Sequence, residues 1–206
     1  MADGRISHWQ DVYSAKSEDE VSWFQASPEP SLTLLHLVGA NSNSAIVDIG
    51  AGASRLVDHL LASGYTHLSV LDISPAALSI ARRRLGKKAG AVEWIVADVT
   101  QWRPLVPYDV WHDRATFHFL IGEADQRAYV ERLRDALRVG GHAIIGTFAP
   151  DGPLKCSGLP VARHDASSIG ALLGDGFHIV DTRNHDHITP KGAAQRFQFS
   201  TFERNA

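Results

Sequence analysis

Ile46-Val47-Asp48-Ile49-Gly50-Ala51-Gly52-Ala53-Ser54 decides the fold. A short apolar run, Ala45–Ile49, closes on Gly-x-Gly. It leads into Leu56–Ser63, where Leu56, Val57, Leu60 and Leu61 recur at helical spacing before Gly64. Strand, glycine turn and helix open a βαβ unit. Neither Gly50 nor Gly52 carries a Cβ, so backbone there can lie directly against a ligand. The third glycine of the dinucleotide fingerprint is missing, because Arg55 occupies its place. Taken alone, the glycine pair describes a plain strand-to-helix turn equally well.

Downstream the alternation repeats. Leu68–Leu71 reads as a second strand. Ser74 caps a helix that Pro75 opens and Ala76–Leu85 continues. Val92–Ala97 and Tyr108–His112 read as the third and fourth strands. Asp125–Leu137 is predicted helical, stopped by Gly140-Gly141, with His142–Phe148 as the fifth strand. Ala166–Leu173 is helical, and Phe177–Arg183 and Arg196–Glu203 are the sixth and seventh strands. Strands alternating with helices imply right-handed crossovers and helices on both faces of the sheet. Asn184–Gln195, holding Pro190 and Gly192, is too short for another crossover helix, so the last strand is expected to enter antiparallel. The prediction is an α/β, doubly wound (Rossmann-like), seven-stranded, mostly parallel sheet. Upstream, Ile6–Phe24 interleaves aromatic and acidic residues and suggests one or two short helices. After the break at Ser27–Ser31, a helical stretch runs from Leu32 to Gly39. The expectation is one domain over 1–206, with a helical leader or lid at 1–40 and the sheet core at 41–206.

Composition narrows the class. The chain has 206 residues, 44% hydrophobic and 21% charged, in the range of an ordinary globular domain. Its net charge of −3 gives no general attraction to nucleic acid or to an anionic membrane, and no apolar run is long enough to span a bilayer. The start, Met1 to Arg5, lacks the apolar stretch of a secretory signal. The single cysteine, Cys156, forms no intrachain disulfide, and the expected location is cytoplasmic. The histidines are scattered without ligand spacing, so no metal site is expected. His185 and His187 alternate, but an exposed loop is their plainer reading.

Two further acids carry the chemistry. Asp72 ends the second strand in Leu71-Asp72-Ile73-Ser74, where its two oxygens suit the vicinal hydroxyls of a ribose. Asp98, in Ala97-Asp98-Val99-Thr100, ends the third strand and suits an adenine amino group. Each acid alone has a bland reading, Asp72 as a helix cap and Asp98 as a solvated loop residue. Three acids at successive strand ends, with Gly-x-Gly after the first, point instead to a nucleoside. No pyrophosphate signature accompanies them, which fits S-adenosyl-L-methionine better than a nicotinamide dinucleotide.

Over roughly residues 5 to 204 the chain resembles the class I S-adenosylmethionine-dependent methyltransferases, within them a methyltransferase-like subgroup related to protein-lysine methyltransferases. The resemblance rests on three stretches: His8–Tyr13 with Val21–Phe24; Asp48–Leu56 through Gly64-Tyr65 to Ser74; and Asp113-Arg114-Ala115-Thr116-Phe117. Ala53 and His118 depart from the subgroup, which often has asparagine and an acid there. Phe148–Pro160 and His185–Pro190 look particular to a bacterial-type branch. The resemblance implies that Asp48, Gly50 and Gly52 line the methionine and ribose end of the cofactor, Asp72 holds the ribose, Asp98 and Val99 hold adenine, and Asp113 lies near methionine and acceptor. The neighbours Ala51, Ser54, Arg55 and Ile73 complete the expected binding set, and S-adenosyl-L-homocysteine is the expected product.

Methyl transfer from a sulfonium is an in-line displacement in which positioning can supply ~7–11 kcal/mol. A base is needed only where the acceptor arrives protonated. Asp113 and His118 are the candidates for catalysis, with His112 a strand-end histidine that reads more readily as structural. Trp9, Tyr13, Trp23 and Phe24 describe either an aromatic lid over the sulfonium or the packing of the leader, with Trp23 the first choice for a functional role. Cys156 reads as a bystander thiol. The acceptor is expected to be a small molecule, or alternatively a protein lysine. A nicotinamide-dependent oxidoreductase and a non-catalytic cofactor-binding module are the readings from other classes.

Overall fold

β1, at Ala45–Ile49, is buried on both faces, and the sheet grows from it in both directions. In the computed structural model, which describes residues 2–206, α1 (Ala2–Ala15) and α2 (Ser31–Leu37) precede β1. Met1, the first residue of the expected domain, lies outside the described residues. After β1 come α3 (Leu56–Ala62), β2 (His67–Asp72), α4 (Pro75–Leu85), β3 (Val92–Val96), β4 (Tyr108–Arg114), α5 (Glu123–Ala136) and β5 (Leu137–Phe148). A small hairpin, β6 (Lys155–Cys156) and β7 (Leu159–Pro160), precedes α6 (Ala166–Leu173), and β8 (Phe177–Ile188) and β9 (Ala194–Arg204) complete the chain.

Seven strands form one sheet in the order β3-β2-β1-β4-β5-β9-β8. β1 pairs in parallel with both β2 and β4, β3 and β5 extend the parallel run, and β9 enters antiparallel between β5 and β8. The expected doubly wound, mostly parallel sheet with an antiparallel last strand is therefore the observed fold. The strand order reverses between β1 and β4, the switch point at which such sheets open a crevice beyond their strand ends. Val47 and Ile49 face one core with Trp111, Tyr129 and Leu133, while Ile46 faces the other with Leu56, Leu60 and Val110. That period of two explains why β1 reads as a nearly continuous apolar run.

Two boundaries differ from the sequence reading. α5 ends at Ala136, and Leu137 enters the sheet directly opposite Tyr108, so Gly140-Gly141 does not stop the helix. Gly140, at φ +79°, instead lies where the β4–β5 register shifts, a bulge that absorbs extra residues. The Ile6–Phe24 stretch carries one helix, α1, as one of the two expected counts, and Ser17 then turns the chain by donating its backbone N–H to Glu20 at 2.8 Å. The expected loop from His185 to Ile188 is strand, because β8 stays paired with β9 as far as Ile188 opposite Ala194. Ladder hydrogen bonds suffice there without an apolar pattern.

α1 packs on α4 at the strand ends, and charges fasten the segment that follows it. Arg84 on α4 donates to Asp58 and Glu18 and to the carbonyls of Ala53 (3.0 Å) and Ser54 (2.8 Å). Arg55 also reaches Glu18, at 2.5 Å. Ser74 Oγ caps α4 by accepting from Ala77 N at 3.3 Å, as its position before Pro75 predicts. Among the described residues no helix is long and apolar enough to cross a membrane.

Candidate active site

The carboxyl ends of β1, β2, β3 and β4 open into a cavity roofed by the leader. Asp72, Ile73, Asp98 and Val99 line one side of it. Trp9, Tyr13, Trp23 and Phe119 form an aromatic side, and Gly50, Arg114, Thr116 and Cys156 complete the wall. A smaller hollow adjoins it, lined by Asp48, Ala51, Ser54, Arg55 and His112. Gly50, Trp23 and Arg114 line both spaces, so the two adjoin across them.

Asp72 is held ready at the β2 end. Its Oδ2 accepts from Gly52 N at 2.8 Å and its Oδ1 from Ser74 N at 2.7 Å. Burial raises its pKa to about 6, with the Asp48 charge adding to the shift and the backbone donors opposing it. The cap at the start of α4 thus belongs to Ser74, and each Asp72 oxygen keeps a lone pair for a ligand. Asp98 is fixed by Thr100, whose backbone N (2.9 Å) and Oγ1 (2.7 Å) donate to Oδ1, and by Arg5 Nη2 at 3.0 Å from Oδ2. Arg5 was not among the residues singled out in the sequence. Its partner lies far away along the chain, so only folding reveals the pair.

The glycine turn serves the protein as well as any ligand. A Cβ on Gly50 would fall 1.8 Å from Thr116 Oγ1, and one on Gly52 would fall 2.1 Å from Tyr13 Oη. Both residues also hold positive φ, +59° and +57°. Leader and post-β4 segment therefore close onto the turn because those side chains are absent. Tyr13 accepts from Trp23 Nε1 at 3.2 Å, and burial keeps its hydroxyl protonated, well above the usual phenol range. Trp9 meets Trp23 and Phe119 edge-on, with ring centroids 5.6 and 4.9 Å apart.

Two opposite charges keep unpartnered atoms here. Asp48 Oδ1 accepts from His112 Nδ1 at 2.7 Å, but Asp48 Oδ2 has no partner although it is buried. Arg114 Nη1 donates to the carbonyl of Trp23 at 3.0 Å, while Nη2 is buried without one. Burial lowers the Arg114 pKa to about 10, so the guanidinium stays charged at neutral pH. A buried charge with a free hydrogen-bonding atom is costly unless something pairs with it. An acceptor oxygen and a donor nitrogen lining one hollow match the ammonium and carboxylate of an α-amino acid.

Several expected residues sit elsewhere or do other work. Asp113 does not line the cavity. It is fully buried, with its oxygens accepting from Thr116 N (2.8 Å), Phe117 N (3.0 Å) and Tyr129 Oη (2.6 Å), because β4 alternation sends it to the opposite face from Arg114. Its pKa is raised to about 6 by burial, against the pull of the Tyr129 bond. His118 is also fully buried, packed on Phe119, Phe148 and Phe197, and burial with the nearby His164 and Arg114 lowers its pKa to about 3. Neither residue is among those that line the cavity. Arg55 turns toward Glu18 and stacks over Phe24 at 5.4 Å, and Ser54 Oγ accepts from Leu56 N at 3.1 Å. Cys156 lies in β6 and lines the cavity, and burial pushes its thiol up to about 12. His187 Nε2 donates to the carbonyl of Ser22 at 2.7 Å, tying β8 to the segment that carries Trp23. No group of three metal-capable side chains occurs among the described residues.

Residues 47–143 match the family model described as a methyltransferase domain. The chain is 30% identical over 127 residues to nodulation protein S of Rhizobium tropici, covering 60% of this chain and 51% of that protein. It is 29% identical over 179 residues to a malonyl-[acyl-carrier protein] O-methyltransferase of Paenibacillus sp. (strain JDR-2), covering 74% and 63%. The chain thus spans roughly half to under two thirds of the length of these curated relatives. Among solved structures, the N-methyltransferase NodS of Bradyrhizobium japonicum WM9 with S-adenosyl-L-homocysteine superposes with a TM-score of 0.72 at 17% identity, over 97% of this chain and 100% of that one. That likeness is one of fold.

Proposed function

We propose that this chain, whose residues 47–143 match a methyltransferase-domain model, is a class I S-adenosylmethionine-dependent methyltransferase that acts on a small-molecule nucleophile. The observation that carries the reading is the unpaired Asp48 Oδ2 and Arg114 Nη2, on residues that line a hollow adjoining the cavity of Asp72 and Asp98. Together these residues match a ligand with a nucleoside at one end and an amino-acid zwitterion at the other. Asp72 would hold the ribose hydroxyls. Ile73, Asp98 and Val99 would hold adenine, and the Gly50–Gly52 backbone would pass beneath the ligand. Asp48 would take the ammonium and Arg114 the carboxylate.

S-adenosyl-L-methionine, when bound, supplies an electrophilic methyl group on a cationic sulfur. The chain's own part is to orient and to exclude water. Trp9, Tyr13 and Trp23 present ring faces and edges toward that region, where aromatic rings favour a desolvated cation. Cys156 and Tyr13 stay protonated and accept no proton at neutral pH, and Asp113 and His118 lie away from the cavity. The arrangement suits an acceptor that arrives with its lone pair free. A cleft roofed by the leader and an inward-facing Asp113 favour a small molecule over a protein lysine. The relatives' names, one an O-methyltransferase and one an N-methyltransferase, leave oxygen and nitrogen acceptors both in view. We place the reaction in the cytoplasm, where the lone Cys156 remains a thiol.

Equilibrium binding tests the reading first. S-adenosyl-L-homocysteine is expected to bind in the micromolar range and NADH not to bind, and the reverse would make the chain an oxidoreductase. Incubating cell extract with a labelled methyl donor and the protein should then place label in the small-pore filtrate. Label retained with protein would favour a protein acceptor, and tight cofactor binding without transfer to any acceptor would favour a non-catalytic module.

A further inference from the structure

Asp48 ends a chain of three buried polar groups that runs from Ser31 through His112. Asp48 on β1 and His112 on β4 are register partners in the parallel ladder, so both side chains leave the sheet on the same face. His112 Nδ1 donates to Asp48 Oδ1 at 2.7 Å, and His112 Nε2 lies 2.8 Å from Ser31 Oγ. Ser31, His112 and Asp48 are 0%, 2% and 5% exposed. A carboxylate oxygen only accepts, so the hydrogen sits on Nδ1. In the neutral ring Nε2 then accepts, and the Ser31 hydroxyl donates to it.

The order serine, histidine, aspartate is that of a hydrolase triad, but Ser31 lines neither the cavity nor the hollow, and no substrate can reach its oxygen. Asp48, at the other end of the chain, lines the hollow. Asp48 Oδ2, unpartnered and buried, is the only atom of the three groups left to bind anything in the hollow. We infer that Ser31 and His112 are positioning residues that lock the rotamer of Asp48, so that Oδ2 faces the hollow and receives the ammonium of the ligand's amino-acid end. The inference rests on the methyl-donor reading above. It adds that affinity for the amino-acid portion is set by two residues that never touch it, one of them supplied by α2, outside the sheet.

Calorimetric titration of two ligands tests this: S-adenosyl-L-homocysteine, and 5′-methylthioadenosine, which lacks the amino acid. His112→Leu is expected to weaken the first by about tenfold or more, as losing a buried charged hydrogen bond does, and to leave the second unchanged. His112→Asn keeps a donor near the Nδ1 position and should recover most of the lost affinity. Ser31→Ala, a milder change, should weaken homocysteine binding by about threefold with methylthioadenosine unaffected, and it reads the relay even where His112→Leu fails to fold. Unchanged homocysteine binding in Ser31→Ala and His112→Leu would overturn the relay. So would parallel losses for both ligands, or an Asn variant no better than Leu. A wild-type protein that binds neither ligand would overturn the donor reading and the relay with it.

Discussion

Asp72 and Asp113 are both buried acids with pKa values near 6, yet they face opposite sides of the sheet and should answer to different experiments. Asp72 is expected to need its charge to accept from a ribose. Affinity for S-adenosyl-L-homocysteine should therefore rise with pH through about 6 and level off above it, and Asp72→Ala should weaken binding by about 2 kcal/mol or more. A flat titration profile would remove Asp72 from the site. The linkage to folding has the opposite sign. Both pKa values lie above the unfolded value of 3.8, so the folded protein binds more protons between about pH 4 and 6. Their contribution to stability is complete below pH 4 and is lost as pH rises through 6. Asp113→Ala leaves the backbone donors of Thr116 and Phe117 and the Tyr129 hydroxyl without acceptors, and it should cost about 3 kcal/mol of stability in urea unfolding. A stable Asp113→Asn protein that binds the cofactor yet transfers no methyl group would give Asp113 a catalytic role as well as a structural one.

Among the elements, the leader is the one whose attachment can be loosened without opening the sheet. Arg84 holds it through Glu18 while also reaching Asp58 and two carbonyls of the glycine turn. Arg84→Ala should leave β1 and α3 in place but free the segment around residues 15–30, measured as faster proteolysis there together with weaker cofactor binding. Equal proteolysis in variant and wild type would show that aromatic packing alone suffices. Gly52→Ala acts on the same junction from the other side, since its methyl would meet the Tyr13 hydroxyl at 2.1 Å and its φ of +57° disfavours alanine. A loss of about 1–3 kcal/mol in stability is expected, in the range of strained backbone and overpacking. A neutral Gly52→Ala would mean that Tyr13 swings clear without cost.

At the scale of the whole molecule, the cavity draws walls from the leader, from four strand ends and from β6, and β8 steadies the roof through His187 and Ser22. A ligand that fills such a site binds only the folded chain. Saturating S-adenosyl-L-homocysteine, at a hundred times its dissociation constant, should stabilise the fold by about 2.7 kcal/mol, which for a chain of this size raises Tm by roughly 5–10 °C. NADH at the same concentration should leave Tm where it is. A shift with NADH alone would return the chain to the nicotinamide reading.

From its residues alone this chain specifies a doubly wound sheet, because apolar runs of period two, helical runs and the turns between them are local patterns that a single stretch displays. Asp48, Asp72 and Asp98 were legible for the same reason: strand ends can be read, and ligands gather beyond them. What needed the tertiary structure was direction and company. Whether Asp113 or its neighbour Arg114 faces the cavity depends on the phase of β4 within the sheet, and the residue type does not reveal it. The Arg5–Asp98 pair, the Ser31–His112–Asp48 chain and the entry of Cys156 into the wall join residues far apart in sequence. No local periodicity encodes such contacts; they exist only once burial has forced polar atoms to find partners in three dimensions.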